Sequence, residues 1–374
     1  MDIACQRLHN QRIEPAAFTT PAEAVAWFGA VQAQDYLGAL WAVGLRMREA
    51  TERSVEAALT ERRIVRTWPL RGTLHFVAAA DVHWMLELAT PRVLERSRRR
   101  LHDEFGLDDP VFAGARKVIE RALRGGRQLT RPALYQVLES ARISAEGQRG
   151  LHILWWLAQQ GVICHGTREG KQPTFVLLDE WLPAAKRFSR EEALAELALR
   201  YFTSRGPATP QDFTWWSGLA AADARIALEI VQPQLLRETR GGSTYWRSTS
   251  ALPNPALKSS VVHLLPAYDE YAIAYKDRGH VLSPAHSAKA GNGIFNPVIV
   301  VDGHIAGTWK RTLGRASVAV APSPFVAFDK ASGKALEGAA HRYAAFVGLS
   351  AAMTEPVASV KPRKPPKGAG ERSL

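Results

Sequence analysis

Apolar residues in the first fifty positions recur at helical spacing, and the pattern then changes to that of short strands. Residues 3–53 are predicted to be helical, and a capping box at Thr20 and Glu23 marks the start of one helix. Between residues 62 and 77, β-forming residues flank a turn at Pro69 and Gly72, which predicts a two-stranded hairpin. Helices followed by a basic hairpin are the pattern of a winged helix.

The same order of elements recurs twice more. Residues 111–160 predict three helices, and residues 162–178 predict a hairpin with a charged tip. Residues 191–230 again predict three helices, and residues 235–246 predict the strand pair that completes the third unit. The elements fall in comparable places while the residues differ, so the repetition is one of structure and not of strong sequence similarity.

From about residue 254 the pattern changes to short β runs, with Asp302 and Gly303 as a hairpin signal, and a helix follows over 334–346. We therefore predict an α+β fold, in which tandem winged-helix (helix-turn-helix) motifs are followed by a small C-terminal β-barrel. The predicted segments are winged helix 1 (1–105), winged helix 2 (106–183), winged helix 3 (184–253), the β-barrel domain (254–357) and a disordered basic tail (358–374).

Composition and charge limit the classes of binding partner and the cellular compartment of the protein. The chain has 374 residues, of which 46% are hydrophobic, and a formal net charge of +12, which favours a polyanion as partner. Nucleic acid is the first candidate and an acidic membrane surface the second; a generally basic proteome is the alternative that needs no partner. Cys5 and Cys164 are too few for a disulfide framework or a four-thiolate zinc site. The first residues lack the layout of a signal peptide and no apolar run reaches spanning length, so we expect a cytoplasmic protein.

Two glutamines between apolar runs are the first candidates for chemistry. Gln32 and Gln34 point to opposite sides of a helix, about 200° apart, but to the same side of an extended segment. If both act on one ligand, the preceding helix must end or bend near Gln32, and Asp35 then lies on the other side. Their spacing alone is more typical of solvated residues at a helix end.

Several other chemistries lack their motifs. The chain has no Gly-x-Ser-x-Gly elbow, no Walker loop and no His-Glu-x-x-His, and its histidines have no metal-ligand spacing. The run Gly291-Asn292-Gly293 looks like the start of a dinucleotide loop, but a β run follows it in place of a helix. We interpret it as a turn.

Four motifs follow one another along the chain between residues 32 and 309, and the likeness that they carry covers almost the whole chain except the tail after about Val357. They are Gln32-Ala33-Gln34, Arg71-Gly72-Thr73-Leu74-His75, Leu264-Leu265-Pro266-Ala267-Tyr268-Asp269-Glu270-Tyr271 with Tyr275-Lys276-Asp277-Arg278, and Asp302-Gly303 with Gly307-Thr308-Trp309. No single one is specific, but in this order they resemble the winged-helix DNA glycosylases of the AlkZ/YcaQ superfamily. The likeness is greatest to the AlkZ-type, azinomycin-resistance branch, which has a Gln-x-Gln motif.

This resemblance implies tandem winged helices and a β-barrel around double-stranded DNA, and excision of alkylated purines, mainly N7-alkylguanine. In some members it implies the unhooking of interstrand crosslinks and self-resistance to a DNA-alkylating natural product. The catalytic motif of the superfamily is Gln-x-Gln or Gln-x-Asp: Gln32 and Gln34 match the first form, and Asp35 lies one residue late for the second. We therefore expect a monofunctional, monomeric DNA glycosylase with Gln32 and Gln34 as its catalytic residues.

A pair of amides suits such a lesion. Glutamine has no accessible pKa and cannot act as a general base; it can only orient and stabilise. An N7-alkylguanine is already cationic and leaves without being protonated. The site then has to position a water and stabilise the sugar cation, which fixed dipoles do electrostatically. This chemistry requires neither a metal nor an organic cofactor, and it suits neutral lesions poorly.

The cations in and near these motifs are the candidate contacts with DNA, and each has the alternative of being a solvated or salt-bridged surface residue. The candidates are Arg66, Arg71, His75, Lys276, Arg278, Lys310 and Arg311.

The alternative function is that of a non-enzymatic winged-helix transcriptional regulator, because winged helices mostly bind DNA without chemistry. The paired glutamines, which a regulator has no reason to keep, distinguish the two, as does a base-release assay on methylated DNA.

Deletion of residues 360–374 removes Lys361, Arg363, Lys364, Lys367 and Arg372 but no residue of a predicted core. We expect an unchanged melting temperature and a modestly weaker affinity for undamaged duplex DNA. Calorimetry and a DNA titration of the truncated protein measure both quantities. A large fall in melting temperature would show that the tail belongs to the folded structure.

Overall fold

The computed structural model describes residues 2–182, 187–249, 260–290 and 295–354, which form a mixed fold of helices and small sheets. The predicted disordered tail and the predicted turn at Gly291-Asn292-Gly293 lie outside these residues, so both stay predictions. No helix in the described ranges combines the length and the apolar character that crossing a membrane requires.

The first unit begins with helices and ends with a hairpin and a long helix. The helix predicted from the capping box at Thr20 and Glu23 is confirmed, because both of its reciprocal hydrogen bonds are present. A short strand, β1, was not predicted; it interrupts the helices and joins the hairpin in a sheet of order β1-β3-β2. The elements are α1 (Ile3–Asn10), α2 (Pro21–Phe28), β1 (Ala30–Gln32), α3 (Tyr36–Gly44), α4 (Glu52–Thr60), β2 (Ile64–Leu70), β3 (Thr73–Ala78) and α5 (Val82–Phe105).

The second and third units repeat the order of helices and then a hairpin, as the pattern predicted. The second has a sheet of order β4-β6-β5, and the third a two-stranded sheet of β7 and β8. The second unit comprises α6 (Asp109–Leu123), β4 (Leu129–Thr130), α7 (Arg131–Ser140), α8 (Arg149–Gln159), β5 (Ile163–Glu169), β6 (Gln172–Leu177) and α9 (Leu178–Trp181). The third comprises α10 (Arg190–Arg205), α11 (Pro210–Ser217), α12 (Ala221–Val231), β7 (Leu235–Arg240) and β8 (Ser243–Ser248).

The C-terminal part is a five-stranded sheet of order β13-β12-β11-β10-β9. Its last strand, which was not predicted, runs parallel to β12, and α15 provides the crossover that a parallel pair requires. The predicted small β-barrel is an open sheet in the described residues, because α15 packs against both edge strands and they do not pair with each other. The elements are β9 (Val262–Leu265), α13 (Glu270–Ile273), α14 (Ser287–Ala290), β10 (Val298–Val301), β11 (His304–Leu313), β12 (Ser317–Pro324), α15 (Lys330–Val347) and β13 (Ser350–Met353).

The hydrophobic cores run across the predicted segment boundaries. One core joins helices α2 and α3 with the C-terminal sheet and α15. Within it, the buried Trp41 lies 5.2 Å from Tyr343 and 5.0 Å from Phe346 between ring centroids, and its indole N–H donates to the carbonyl of Leu264 at 2.7 Å. A second core joins the first unit with the third, and a further one joins β2 with the second unit. The predicted boundaries themselves stay a prediction.

Two adjacent carboxylates at the start of α13 are fully buried and tie remote segments together. The guanidinium of Arg46 donates to both carboxylate oxygens of Asp269, at 2.9 Å each. Oε2 of Glu270 accepts from Nε and Nη2 of Arg205, at 3.0 and 2.6 Å, and from the indole of Trp216 at 2.9 Å. The Arg205–Glu270 side chains are both 0% exposed, so this ion pair is wholly desolvated.

Replacement of Glu270 by Ala leaves the buried Arg205 without its carboxylate. We expect the free energy of unfolding to fall by about 3–5 kcal/mol, the usual cost of removing one partner of a buried ion pair. Glu229 is the control, because it belongs to an exposed pair with Arg225, and its replacement by Ala should cost less than about 1 kcal/mol. Urea titrations of the two variants test the difference; equal losses would show that the buried pair is not critical to the fold.

Candidate active site

Gln32 lies at the end of a strand and Gln34 in the bend that follows it, so neither glutamine is in a helix. Helix α2 ends at Phe28, and β1 then pairs antiparallel with β3, which places Gln32 opposite His75. The N–H of Ala33 donates to the carbonyl of Leu74 at 2.7 Å, so the pairing with β3 continues one residue beyond the strand. The condition for joint action of the two amides, that the helix ends or bends near Gln32, is therefore met.

The amide oxygens of both glutamines accept hydrogen bonds from the protein. Oε1 of Gln32 accepts from Nη2 of Arg71 at 3.0 Å, and Oε1 of Gln34 accepts from the main-chain N–H of Leu74 at 2.9 Å. A guanidinium and a main-chain N–H only donate, which identifies the oxygen of each amide. In the described residues neither Nε2 donates to the protein. These two groups and the second lone pair of each oxygen are therefore what a ligand can reach.

Charged side chains from three parts of the chain hold the backbone of this segment. Oε1 of Glu270 accepts the N–H of Gln32 at 2.9 Å, and Nη2 of Arg205 donates to the carbonyl of Ala30 at 2.9 Å. The guanidinium of Arg66 donates through Nε and Nη2 to the carbonyl of Ala33, at 3.1 and 2.8 Å. The main chain on each side of Gln32 is thus fixed by hydrogen bonds to ionised groups, which are stronger than those between neutral groups.

Arg66 and Arg71, both predicted to contact DNA, are turned toward the motif. Burial lowers the pKa of each guanidinium to about 10, and for Arg71 the charge of Glu270 partly opposes this shift. Both therefore stay cationic at neutral pH. Their guanidinium groups already hydrogen-bond Ala33 and Gln32, so their contacts in this structure are with the protein.

His75, also predicted to contact DNA, is fully buried. Burial, and then the nearby charge of Arg71, hold the pKa of its imidazole well below the usual value, so the ring is neutral at neutral pH. Its Nδ1 lies 2.8 Å from the carbonyl of Thr73. A carbonyl can only accept, so Nδ1 carries the proton and Nε2 is an unprotonated acceptor. A direct contact with DNA would require this part of the hairpin to open.

Asp35 lies apart from the two amides. It is the residue before α3 but makes no capping hydrogen bond with its side chain. Its Oδ2 instead lies 3.4 Å from Nη2 of Arg311 on β11, so a further predicted DNA contact is paired with this carboxylate. The Arg311 side chain is 19% exposed. This contact with Arg311 agrees with the expectation that the Asp35 side chain points away from the side of the chain on which the glutamines act.

The remaining predicted contacts lie nearer the surface. The side chains of Lys276 and Lys310 are exposed, and Arg278 is half-buried, which lowers its pKa. The main-chain N–H of Lys276 donates to Asp212 at 2.9 Å and fixes the loop that carries it.

Glu270 and Arg205 belong to the site, although the sequence analysis assigned neither of them a role there. The signal for Glu270 was present, because an acidic pair stands inside the otherwise apolar run from residue 264 to 271. Buried carboxylates are rare unless they are paired, which makes such a doublet informative. Arg205 has no comparable signal, because an arginine at the end of a helix is ordinary.

A polar cavity of about 440 Å³ lies beside the motif, between α3, α4 and the hairpin of the second unit. The hydroxyl of Tyr36 donates to Glu56 at 3.1 Å, and the guanidinium of Arg168 lies 4.3 Å from the centre of the Tyr36 ring. Arg168 also pairs with Glu56 at 3.5 Å, so the charges that line this cavity are largely matched. In the part of the chain that the structure describes, no group of three or more His, Cys, Asp or Glu side chains could hold a metal ion.

The family model described as "DNA glycosylase AlkZ-like" matches residues 25–346. Among curated proteins, an interstrand DNA cross-link repair glycosylase of Streptomyces sahachiroi is 24% identical over 371 residues, which cover 92% of this chain and 95% of that protein. Among solved structures, the Streptomyces sahachiroi DNA glycosylase AlkZ has the same fold, with a TM-score of 0.73, 23% identity and coverage of 94% of this chain and 98% of that one. Because the family match covers most of the chain and includes both glutamines, the chain belongs to the AlkZ-like DNA glycosylase family.

Proposed function

We propose that this protein is a monofunctional DNA glycosylase that hydrolyses the N-glycosyl bond of N7-alkylated purines, with Gln32 and Gln34 as its catalytic residues. The observation that supports this most is the geometry of the motif. Gln32 ends a strand and Gln34 lies two residues beyond it, and both amide oxygens are held by donors of the protein. Family membership supports the glycosylase activity, and the lesion follows from the chemistry of the amides.

The chemistry starts from a lesion that brings its own positive charge. The C1′–N9 bond breaks and the alkylated base leaves as a neutral molecule, so no residue has to protonate it. The sugar is left as an oxocarbenium-like cation, and water adds to C1′ and releases its proton to solvent. The amides hold that water through their free Nε2 groups and second oxygen lone pairs. Because Arg71 and the N–H of Leu74 already fix both oxygens, little reorganisation is needed at the moment of reaction.

We further propose that the three units are tandem winged helices on double-stranded DNA. Each has helices followed by a β-hairpin, which is the order of elements in that motif. The exposed Lys276 and Lys310, with Arg278 and Arg311 beside them in sequence, are the proposed phosphate contacts. We assign a supporting role, and no contact with phosphate, to Arg66, Arg71 and His75, because these residues contact the glutamine motif. We expect the protein to act as a monomer.

Interstrand crosslinks are a proposed second substrate. The curated Streptomyces sahachiroi relative is described as a cross-link repair glycosylase. A crosslinked base cannot be turned into a closed pocket, so its release needs a site that is open to the surface. Gln34 is exposed and Gln32 half-buried, which suits an open site. A regulator is not favoured, because the family to which the chain belongs is one of enzymes.

The proposed DNA surface should make binding strongly dependent on salt. If the basic surface neutralises phosphates, the affinity for undamaged duplex DNA should fall steeply with salt, by about 0.9 log units per log unit of salt for each phosphate contacted. Replacement of Lys310 by Ala should lower that slope by about one. Fluorescence titrations between about 50 and 200 mM salt measure it. Binding that barely changes over this range would count against the proposed DNA surface.

Loss of either catalytic amide should slow base release without weakening DNA binding. Replacement of Gln32 or Gln34 by Ala should slow the release of N7-methylguanine roughly 10²- to 10³-fold, the scale for one preorganised polar group in a transition state. The affinity for DNA should change little, because no charge is altered. The double variant should lose less than the product of the two single losses, since the groups act together.

Replacement of Asp35 by Asn is the control for the amides, because Asp35 is turned toward Arg311, and its effect should be milder than either glutamine change. If this variant is inactive while both glutamine variants keep their activity, the carboxylate is the catalyst and the assignment is wrong. If the unaltered protein releases no base, the glycosylase function is wrong, and a non-enzymatic transcriptional regulator becomes the favoured function.

A further inference from the structure

We propose that Arg71 is a positioning residue of this glycosylase, whose guanidinium holds the Gln32 amide with Oε1 toward the protein and leaves Nε2 free for the reacting DNA. The proposal rests on the function proposed above, and it gives a specific role to a residue that the sequence places among the candidate phosphate contacts.

Arg71 is half-buried as a residue, but the Nη1 end of its guanidinium is sealed from solvent in unusual surroundings for a cation. Two fully buried arginines, Arg46 and Arg205, each hydrogen-bond a buried carboxylate. Arg71 donates to a neutral amide, and its Nη1 is buried without a hydrogen-bond partner in the described residues. Glu270 favours its charge only at longer range. Because a buried cation is costly unless it is paired, this placement points to a role in the site.

The backbone that carries Arg71 is held by two neighbouring units. Arg71 and Gly72 form the tip of the β2–β3 hairpin, with positive φ angles of 54° and 70°. From the second unit, the indole N–H of Trp155 donates to the carbonyl of Gly72 at 3.0 Å. From the third unit, Gly218 lies so close that a Cβ there would be 2.8 Å from Cγ of Arg71. The hairpin tip is thus locked, and the guanidinium is directed at Gln32.

A guanidinium restricts the Gln32 amide to one of its two orientations. The last torsion of a glutamine side chain is broad and roughly two-fold, so an unrestrained amide exchanges its oxygen and its NH₂ group. Arg71 has only donors, and rotation of the amide would place the NH₂ group against them. Gln34 is restricted in the same way by the N–H of Leu74. Loss of Arg71 should release Gln32 while Gln34 stays in place.

Replacement of Arg71 by Met tests this in single-turnover release of N7-methylguanine at saturating protein. We expect the rate constant to fall about 10- to 100-fold, the range that corresponds to one charge-assisted hydrogen bond. The affinity for undamaged DNA and its salt slope should be unchanged. If the affinity falls and the slope drops by about one, Arg71 is a phosphate contact and the proposal is wrong.

The same replacement in a Gln32→Ala background separates positioning from general damage. A residue that acts through Gln32 has nothing left to position there, so the further loss should be less than about twofold. A second loss as large as the first would overturn the proposal.

Arg62→Met is the matched control. Arg62 also has a positive φ, of 60°, and its guanidinium lies over a tryptophan, Trp181, at 4.1 Å. It should lose no activity. If the Arg71 variant melts below the assay temperature, Trp155→Phe replaces it, because this change removes the hydrogen bond to Gly72 and loosens the hairpin tip. The loss of activity caused by Trp155→Phe should likewise disappear in the Gln32→Ala background.

The outcomes also separate this proposal from the function on which it rests. An unaltered protein that releases base, with an Arg71→Met variant of equal activity, overturns the positioning role alone. An unaltered protein that releases no base overturns the proposed function, and this proposal with it.

Discussion

The buried contact between Glu270 and Arg205 is the interaction on which both the fold and the candidate site depend. Through Oε2 the carboxylate binds the guanidinium of Arg205 at the end of α10 and the indole of Trp216. Through Oε1 it binds the N–H of Gln32. Arg205 in turn donates to the carbonyl of Ala30. One ion pair therefore joins the C-terminal part and the third unit to the strand that carries the glutamines, and the motif cannot move independently of the core.

Such a buried pair contributes more to selecting one folded arrangement of the chain than to the free energy of unfolding. Desolvation of two charges costs about as much as their attraction returns, but an arrangement that leaves either charge unpaired is much less favourable. The adjacent Asp269 binds Arg46 in the same way. Together they select one placement of three remote segments. Under the proposed function this rigidity is useful, since amides stabilise a transition state only if they are oriented before it forms.

The neutral character of the site agrees with the proposed lesion. The charged groups around the motif are directed at its backbone and at the Gln32 oxygen, and the two groups left for a ligand are uncharged amides. A cationic base leaves without a proton from the protein, so such a site needs no general acid. Under the proposed function, selectivity for alkylated purines would arise from the leaving group, and the exposed Gln34 would leave room for bulky adducts.

The sequence by itself determined the order of helices and hairpins and the start of α2 at Thr20, because caps, turns and side-chain periodicity are local properties. It left open whether Gln32 and Gln34 lie on a helix or on an extended segment, and the pairing of β1 with β3 decided this. It did not determine which cations face the protein: Arg66, Arg71 and their neighbours look the same in sequence whether they bind phosphate or the motif. The hydrogen bond between Gln32 and the Glu270 carboxylate spans 238 positions, and no local pattern encodes it. Likewise, the parallel edge strand and the open sheet depend on where α15 packs. Tertiary structure decided these features, because the partner of a buried charge is set by which distant segments share the same core.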